Sequence, residues 1–308
     1  MAKTGPIADL LIWVPIRVFL FVIGRIPRRF SRWICGRIAL LIYYLDGKHR
    51  RIGMYNLGVA FPDQSESWRQ EILRKSFIQL GENAADVCRL EWVSEEEIRR
   101  LVRYEPGFGL EHYRKAKAEG KGLIFLTAHI SAWELLPTAH AILGHPLSFI
   151  VRPLENRHLD RWALRTRERF GNRVLSKFGS LREVLRIIRK GEDVGILIDQ
   201  NVQEKDGVFA PFFGMPAATT VSAAALALKT GAPVIAGFMT PDLEKGKYLI
   251  RFYPPIFAER GDDPEENLVR NTARFNVYIE EVLREHPHCW LWGHRRFATR
   301  PDGSNPYK

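Results

Sequence analysis

A histidine and a glutamate five positions apart, His129 and Glu134, are the residues of this chain best suited by type and spacing to acid–base chemistry. A neutral imidazole that is held by a carboxylate acts as a general base and takes a proton from a hydroxyl group. On one continuous helix this spacing would place the two side chains on different faces, so they converge only if His129 lies in a loop. The same residues would also fit a buried core histidine beside an unrelated surface glutamate.

The neighbouring residues predict the loop that this pairing needs. Residues 123–126 form a short apolar run typical of a buried strand, and Thr127 and Ala128 end it. Ser131 is a good helix N-cap, so the pattern predicts a helix whose first turn, residues 132–136, contains the glutamate. The predicted order is therefore strand, histidine, helix, and the N-terminus of that helix favours negative charge that develops nearby.

Two further apolar strands are predicted to end in polar residues. Residues 147–151 precede Arg152, and a third apolar run precedes Asp199 and Gln200. In open α/β sheets, binding sites lie beyond the carboxyl ends of the strands. Because the polar residues follow the carboxyl end of each of the three strands, we expect these side chains to share one crevice with His129.

A strongly basic stretch from His158 to Lys190 follows, and its pattern predicts a long helical segment. A charge run of this kind is usually a solvated helix face. That interpretation covers most of its arginines, including Arg182 and Arg186.

Five segments, in this order, resemble those of the bacterial lipid A biosynthesis (lauroyl/myristoyl) acyltransferase family, within the wider group of His-x4-Asp/Glu glycerolipid acyltransferases. They span most of the chain and are Tyr55–Pro62, His129–Glu134, Arg152-Pro153, Asp199-Gln200 with the following 209–213 and 218–220, and Trp290–Phe297. Each is short, but the collinear set is specific.

The resemblance implies an α/β fold with a mixed central sheet flanked by helices, as in glycerol-3-phosphate acyltransferases. It implies direct transfer of a fatty acyl group from a thioester to a lipid hydroxyl. His129 would be the base and Glu134 would orient it, and Asp199 would share that task. The remaining candidates, which would bind substrate or stabilise developing charge, are Arg152, Arg167, Arg169 and Gln200. Arg167 and Arg169 fall near the position of a functional arginine in the family.

Composition restricts the partners of the chain. Its 46 Lys and Arg residues against 35 Asp and Glu residues give a formal net charge of +11, which favours an acidic partner. Nucleic acid, anionic lipid and an acidic carrier protein all qualify, but the sequence has no nucleic-acid-binding motif. Its three cysteines match no zinc or redox spacing, and no phosphate-binding glycine loop or metal-ligand cluster occurs. We therefore predict neither a metal nor a cofactor.

The N-terminal segment is predicted to attach the chain to a membrane. Ile7–Ile23 is mostly apolar and close to the ~20 residues that cross a bilayer, although Asp9, Pro15 and Arg17 interrupt it. It would either span the bilayer or lie in its interface, and a buried N-terminal hairpin is the alternative. The basic residues that follow favour a cytoplasmic location for the rest. We expect an anchor and basic interfacial segment in residues 1–45 and an acyltransferase domain in residues 46–308, at the cytoplasmic face of the bacterial inner membrane.

Three classes of function fit these observations. The first is an acyltransferase that uses acyl carrier protein or acyl-coenzyme A as donor and a glycolipid as acceptor. The second is a membrane-bound lipid hydrolase that uses the same base on water, and the third is a basic surface-binding protein without catalysis. We favour the first because of the five collinear segments. A lipid A precursor is the expected acceptor, with phosphatidylinositol mannoside or another glycolipid as the alternative.

Overall fold

A seven-stranded mixed β-sheet organises the chain, of which the computed structural model describes residues 5–177, 179–242, 244 and 246–307. The described residues form the strands β1 (Val102–Tyr104), β2 (Ile124–Thr127), β3 (Ser148–Val151), β4 (Arg173–Ser176), β5 (Val194–Leu197), β6 (Gly207–Phe212), β7 (Met215–Thr220), β8 (Val234–Pro241) and β9 (Tyr248–Phe252). Their order in the large sheet is β1-β9-β8-β2-β5-β3-β4, and β6 and β7 form a separate hairpin. β8 and β9 are antiparallel, whereas the other neighbours in the large sheet are parallel.

The central strand β2 is buried on both faces, as its continuous apolar sequence predicts. Ile124 and Leu126 pack in one hydrophobic cluster, and Phe125 packs in the other. Gly122 precedes the strand at a close approach of the backbone, since a Cβ atom there would lie 2.2 Å from the carbonyl oxygen of Glu192. Burial on both faces therefore fixes the position of the residues that follow β2.

Helices cover both faces of the sheet. They are α1 (Pro6–Arg25), α2 (Arg28–Leu45), α3 (Gly47–Ala60), α4 (Glu66–Arg89), α5 (Glu95–Leu101), α6 (Leu110–Lys117), α7 (Leu135–Ile142), α8 (Arg157–Glu168), α9 (Leu181–Arg189), α10 (Ser222–Thr230) and α11 (Pro264–Glu285). α5, α6 and α7 pack with Phe125, whereas α9, α10 and α11 pack with Ile124 and Leu126 on the opposite face. Side chains cap several helix N-termini, among them Ser65, Ser94, Asn156 and Asp263. This architecture confirms the predicted α/β class with a mixed central sheet.

Two segments differ from the sequence-based expectation. Residues 158–190 are not one helical stretch, because β4 separates α8 from α9 and forms the edge of the sheet. Two of its four residues, Arg173 and Ser176, are polar and exposed, and it pairs with one neighbour only, so it lacks the continuous apolar pattern of a strand buried on both faces. The sequence of residues 207–215, which is apolar and contains Pro211 and Gly214, predicts a loop, but these residues belong to the β6–β7 hairpin.

The first two helices pack on α4 and leave one apolar side exposed. α1 contains Ile7–Arg25, the one segment of the described chain that is long and apolar enough to cross a membrane, with a mean hydropathy of 2.1 and 22% of it buried. α2 is tied to α4 by Asp86, which accepts hydrogen bonds from Arg28 (2.6 and 2.8 Å) and Arg32 (2.6 Å). The hydroxyl of Tyr248, on β9, also donates to Asp86 at 2.9 Å. One buried carboxylate therefore joins α2, α4 and the sheet.

Removal of this carboxylate should destabilise the whole chain. Asp86→Ala leaves the guanidinium of Arg28, which is mostly buried, without its opposite charge. Breaking one partner of a buried ion pair costs about 3–5 kcal/mol, so urea unfolding in a neutral detergent should show a clearly lower midpoint. The matched control is Glu96→Ala, which breaks the exposed pair with Arg100 and should cost less than about 1 kcal/mol. Equal midpoints for the two variants would contradict this role of Asp86.

Candidate active site

The register of the sheet brings His129 and Asp199 together. Thr127, the last residue of β2, lies opposite Leu197, the last residue of the parallel strand β5. His129 and Asp199 each follow two residues later, so equal offsets from one register place them side by side at the carboxyl edge of the sheet. The sequence predicted this shared crevice from the strand ends.

Asp199 holds the histidine by two hydrogen bonds. Its Oδ1 lies 2.9 Å from Nδ1 of His129, and its Oδ2 accepts the backbone N–H of the same residue at 3.0 Å. The indole N–H of Trp290 also donates to Oδ2, at 2.8 Å. Asp199 is buried, and these donors replace the water that a carboxylate needs.

The charges of the pair stabilise each other. Burial alone would lower the pKa of His129, but the charge of Asp199, its hydrogen bond and the more distant charge of Glu134 raise that pKa above its usual value. Burial alone would raise the pKa of Asp199, but His129 and the indole of Trp290 lower it to about 2. Asp199 is therefore ionised throughout the physiological range, and His129 is a stronger base than free histidine.

This hydrogen bond also sets the tautomer of the imidazole. Since an ionised carboxylate only accepts hydrogen bonds, Nδ1 of His129 carries the proton. Nε2 then presents a lone pair, and the side-chain amide nitrogen of Gln200 lies 3.3 Å from it. The ring of Trp133 contacts the imidazole edge-on, with the two centroids 5.3 Å apart. The arrangement can take a proton at Nε2 from a hydroxyl group or from water.

Glu134 does not hold the imidazole by a hydrogen bond, contrary to the expectation for the His-x4-Glu pair. Its carboxylate accepts two hydrogen bonds from Arg167, at 2.7 and 3.2 Å. The orienting carboxylate is therefore Asp199, which lies closer because the sheet register places it there. Glu134 acts on His129 through its charge, and Arg167 fixes the position of that charge.

The loop between β2 and α7 is longer than the predicted one. The helix begins at Leu135 rather than at Ala132, so Ser131 is not its N-cap. Ser131 has a φ of 49°, an uncommon backbone conformation for a residue other than glycine. Its N–H donates to the carbonyl of Cys289 at 2.7 Å, and its carbonyl accepts from the side-chain amide of Asn83. These two contacts outweigh the local capping preference on which the prediction rested.

Sequence reasoning assigned no role to Asn56 and did not single out Trp290. The amide nitrogen of Asn56 donates to the carbonyls of Trp292 (2.7 Å) and His294 (2.8 Å), and the hydroxyl of Tyr307 donates to its oxygen at 2.5 Å. Asn56 therefore fastens the C-terminal segment that carries Trp290. Both residues lie in segments that supported the family resemblance, which was the only signal for them in the sequence.

Two of the predicted arginines lie apart from the His129–Asp199 pair. Nη1 of Arg169 donates to the carbonyls of Leu90 and Val93, at 3.0 and 2.9 Å, and so fixes the end of α4. Arg152 is exposed at the carboxyl edge of β3 and has no hydrogen bond or ion pair to any described residue. Among the described residues, no group of three His, Cys, Asp or Glu side chains could hold a metal ion.

Two cavities are lined by residues that contact the His129–Asp199 pair. The first, which we call the apolar cavity, has a volume of about 450 Å³ and is lined mainly by apolar side chains of α1, α4 and α8, with Trp133, Glu134 and Arg167. The second, which we call the mixed cavity, has a volume of about 530 Å³ and lies between α4, the start of α3 and residues 290–295. Leu80 lines both cavities. Trp133 of the apolar cavity contacts the imidazole, and Trp290 of the mixed cavity donates to Asp199, so each cavity has one residue in contact with the His129–Asp199 pair.

Comparison with known proteins gives one consistent result. A family model described as "Bacterial lipid A biosynthesis acyltransferase" matches residues 8–299. A "Lipid A biosynthesis acyltransferase" from Haemophilus influenzae is 28% identical over 96% of this chain and 90% of its own length. The "Lipid A biosynthesis lauroyltransferase" of Escherichia coli is 27% identical over 95% of this chain and 93% of its own length. The "Lipid A biosynthesis palmitoleoyltransferase" of the same organism is 27% identical over 84% of this chain and 81% of its own.

The assignment of Asp199 as the partner of His129 can be tested without any assay of activity. Asp199→Asn removes the charge that raises the pKa of His129, so an NMR titration of labelled histidine should show this pKa falling. Glu134→Gln should lower it less, because the contribution of Glu134 is the smallest of the three carboxylate effects. An unchanged pKa in Asp199→Asn, or a larger fall in Glu134→Gln, would contradict the assignment.

Proposed function

The chain belongs to the bacterial lipid A biosynthesis acyltransferase family, and from this premise we propose that it transfers a fatty acyl group from a thioester to a hydroxyl of a lipid A precursor, with His129 as the general base. The observation that carries the proposal is that the His129–Asp199 pair is in contact with one lining residue from each of two cavities of different character. A two-substrate transfer needs both substrates to meet at the base.

The proposed chemistry is a direct attack without an acyl-enzyme intermediate. Nε2 of His129 takes the proton of the acceptor hydroxyl while the hydroxyl oxygen bonds to the carbonyl carbon of the thioester. The tetrahedral intermediate then collapses, the C–S bond breaks, and the departing thiolate takes the proton from the imidazolium. Asp199 stabilises the imidazolium during these steps and keeps the reactive nitrogen turned outward.

Donors for the oxyanion are close to the base. The amide of Gln200, which lies 3.3 Å from Nε2 of His129, is exposed at the site and can donate to the carbonyl oxygen of the thioester. Arg167 uses Nε and Nη2 for Glu134, which leaves Nη1 for a substrate at the edge of the apolar cavity. We assign charge stabilisation to Gln200 and Arg167, and positioning to Glu134.

The two cavities suit the two substrates. Most of the side chains that line the apolar cavity are uncharged and apolar, so the cavity suits the fatty acyl chain of the donor. The mixed cavity carries the exposed cations Lys48 and Arg295, neither of which has an ion pair with a described residue. Those cations suit a phosphorylated sugar, and a lipid A precursor is a phosphorylated glycolipid. Arg152 remains a candidate for binding a phosphate group of the acceptor, if the acceptor extends along the edge of the sheet.

The structure favours α1 lying in the membrane interface. Asp9 and Arg17 face the protein: Asp9 is buried, and Arg17 forms an ion pair with Glu91. α1 also packs along α8, whose residues Arg161 and Arg165 are exposed. If α1 crossed the bilayer, these charges would lie at its depth, which is costly. We propose that α1 and the exposed apolar side of α2 enter one leaflet at the cytoplasmic face.

The arginines between Arg25, at the end of α1, and Arg37, in α2, form two groups with different roles. Arg28 and Arg32 form ion pairs with Asp86 and are therefore engaged within the protein. Arg25, Arg29 and Arg37 are exposed and lie over aromatic rings, an arrangement suited to the headgroup region. Within this segment, these three remain free to attract the anionic lipids of the cytoplasmic leaflet.

The donor is a thioester of acyl carrier protein or coenzyme A. Both carriers are anionic, and both fit a chain with a formal net charge of +11. Incubation of the purified chain with each labelled thioester, with and without a lipid A precursor, separates transfer from hydrolysis. Acyl transfer that depends on the acceptor supports the proposal. Release of free fatty acid alone would identify a lipid hydrolase. Transfer only to a mannosylated phosphatidylinositol would mean that this glycolipid, and not a lipid A precursor, is the acceptor.

Loss of the base should abolish most of the transfer. A positioned general base contributes roughly 10²–10⁴-fold in rate, so His129→Ala should reduce kcat/KM by about that factor without loss of membrane binding. In the unsubstituted enzyme kcat/KM should fall as the pH drops below the raised pKa of His129, because protonated imidazole cannot accept a proton. In Asp199→Asn the remaining activity should persist to lower pH. His112→Ala, on α6 and outside the lining of both cavities, is the control for removal of a histidine, and near-normal transfer by His129→Ala would refute the mechanism.

Partial filling of the apolar cavity should change the acyl chain that the enzyme accepts. Ala84 is exposed on α4 and lines this cavity, so Ala84→Phe adds a ring to the cavity without displacing core residues. Long-chain thioesters should lose kcat/KM relative to short-chain ones, while the KM for the acceptor stays constant. Ala84→Ser is the control of similar volume and should keep the chain preference. A raised acceptor KM in Ala84→Phe would mean that the two cavities are assigned to the wrong substrates.

A further inference from the structure

A third concave site, which we call the arginine pocket, lies between α1 and α8 and has a volume of about 390 Å³. The residues that matter for its chemistry are Trp13 and Arg17 of α1, Arg161, Trp162 and Arg165 of α8, and Arg169. It shares no lining residue with the mixed cavity and only Trp162 and Thr166 with the apolar cavity. The proposed transfer reaction gives it no task.

The arginine pocket carries an excess of positive charge. Its carboxylate, Glu91, is already engaged: it accepts two hydrogen bonds from Arg17, at 2.5 and 3.1 Å, and one from the indole N–H of Trp162, at 3.0 Å. Arg169 donates to neutral backbone carbonyls. Arg161 and Arg165 are exposed, and neither has a hydrogen bond or ion pair to a described residue. Among the described residues that line the arginine pocket, four guanidinium groups therefore face one carboxylate.

The spacing of these arginines opposes the pattern used elsewhere in the chain. Arg161, Arg165 and Arg169 follow each other at intervals of four residues, which places like charges on one face at a cost to the helix. Other helices place a glutamate four positions before an arginine, as in Glu266 with Arg270 and Glu280 with Arg284. A bound anion removes the repulsion on α8 and supplies the acceptor that the free guanidinium groups lack.

The walls of the arginine pocket identify the type of anion. Trp13 stacks on His158, with centroids 6.2 Å apart, and the indole of Trp162 forms part of the wall between the two helices. Tryptophan is enriched where proteins meet the headgroup region of a bilayer. α1, which supplies Trp13 and Arg17, exposes apolar side chains such as Leu11 and Val18 on its outer side. An anion bound here has hydrocarbon directly beside it.

We propose that the arginine pocket binds the phosphate of an anionic phospholipid of the membrane surface, separate from the acyl donor and acceptor. This inference rests on the interfacial position of α1 that the proposed function gives to the anchor. The bound headgroup locks α1 against α8 and sets the orientation of the enzyme on the leaflet. A carrier protein is a poorer fit, because the cations line a concave pocket beside a membrane helix instead of an open surface.

The test compares the full-length chain with R161Q/R165Q by flotation with vesicles. One set of vesicles contains phosphatidylcholine alone, and the other also contains phosphatidylglycerol. The preference of the unsubstituted chain for the anionic vesicles should fall about 10–30-fold in R161Q/R165Q, since each arginine contact near the surface is worth about a factor of five. Both arginines are exposed, so the variant should unfold at the same urea concentration as the unsubstituted chain.

R182Q/R186Q is the matched control, because it removes two exposed arginines at the same spacing from α9. It should change the preference at most a few-fold. An equal loss in the control would reduce the effect to overall charge and overturn the proposal, as would an unchanged preference in R161Q/R165Q.

Kinetics in neutral detergent micelles separate this site from the substrate sites. R161Q/R165Q should keep the KM values of both substrates there, since the micelles contain no anionic phospholipid. A raised acceptor KM would make the pocket part of the acceptor site, and a raised KM for an acyl-carrier-protein donor would make it a protein-docking surface. Either result overturns the proposal. His129→Ala should retain the full preference for anionic vesicles, so a failure of the proposed catalysis is distinguishable from a failure of this site.

Discussion

The burial of one carboxylate, Asp199, is the constraint on which the site depends. A buried negative charge is stable only if hydrogen-bond donors replace the water that it has lost. The donors come from two parts of the chain that are distant in sequence: the backbone and ring of His129 after β2, and the indole of Trp290 near the C-terminus. The need to satisfy one charge therefore holds the end of a central strand, the histidine and the C-terminal segment in a single geometry, and the same bond sets the tautomer of the base.

Contacts that do not involve His129 itself shape the loop that bears this histidine. Asn83 on α4 and the carbonyl of Cys289 hold Ser131 in its left-handed conformation, and Arg167 on α8 holds Glu134. Each contact comes from a helix or segment that also lines one of the two cavities. Consequently the walls that would hold the substrates and the loop that would carry the base are parts of one packed unit. This explains how a fold with a rigid sheet positions a reactive group in a loop.

Much of the fold and part of the site could be predicted from the sequence, for identifiable reasons. The apolar runs before His129 and Asp199 identified two buried strands, because burial on both faces demands continuous hydrophobicity. Polar residues just after those runs located the edge of the sheet. The edge strand β4 escaped prediction because an exposed edge does not need an apolar pattern, and its arginine-rich flanks suggested a helix.

The partner of His129 was assigned to Glu134 first and to Asp199 second, and the structure reverses that order for the hydrogen bond. Proximity in sequence favoured Glu134, whereas the register of two parallel strands, which no local pattern encodes, favours Asp199. The prediction that α7 starts at Ala132 was wrong for a related reason, since contacts from Asn83 and Cys289 override the capping preference of Ser131. The role of Asn56 depends on contacts with residues more than two hundred positions away, which a single sequence does not reveal.

The contact between Asn56 and the last segment of the chain has a consequence for the order of biosynthesis. Translation delivers α1 long before the carbonyls of Trp292 and His294. A nascent chain is therefore able to bring α1 and α2 to the bilayer before Trp290, whose indole donates to Asp199, has been made. Until then Asn56 and Asp199 lack these C-terminal partners. If α1 attaches the chain as proposed, attachment precedes assembly of the reactive centre, and an incomplete chain at the membrane surface lacks the geometry that acyl transfer requires.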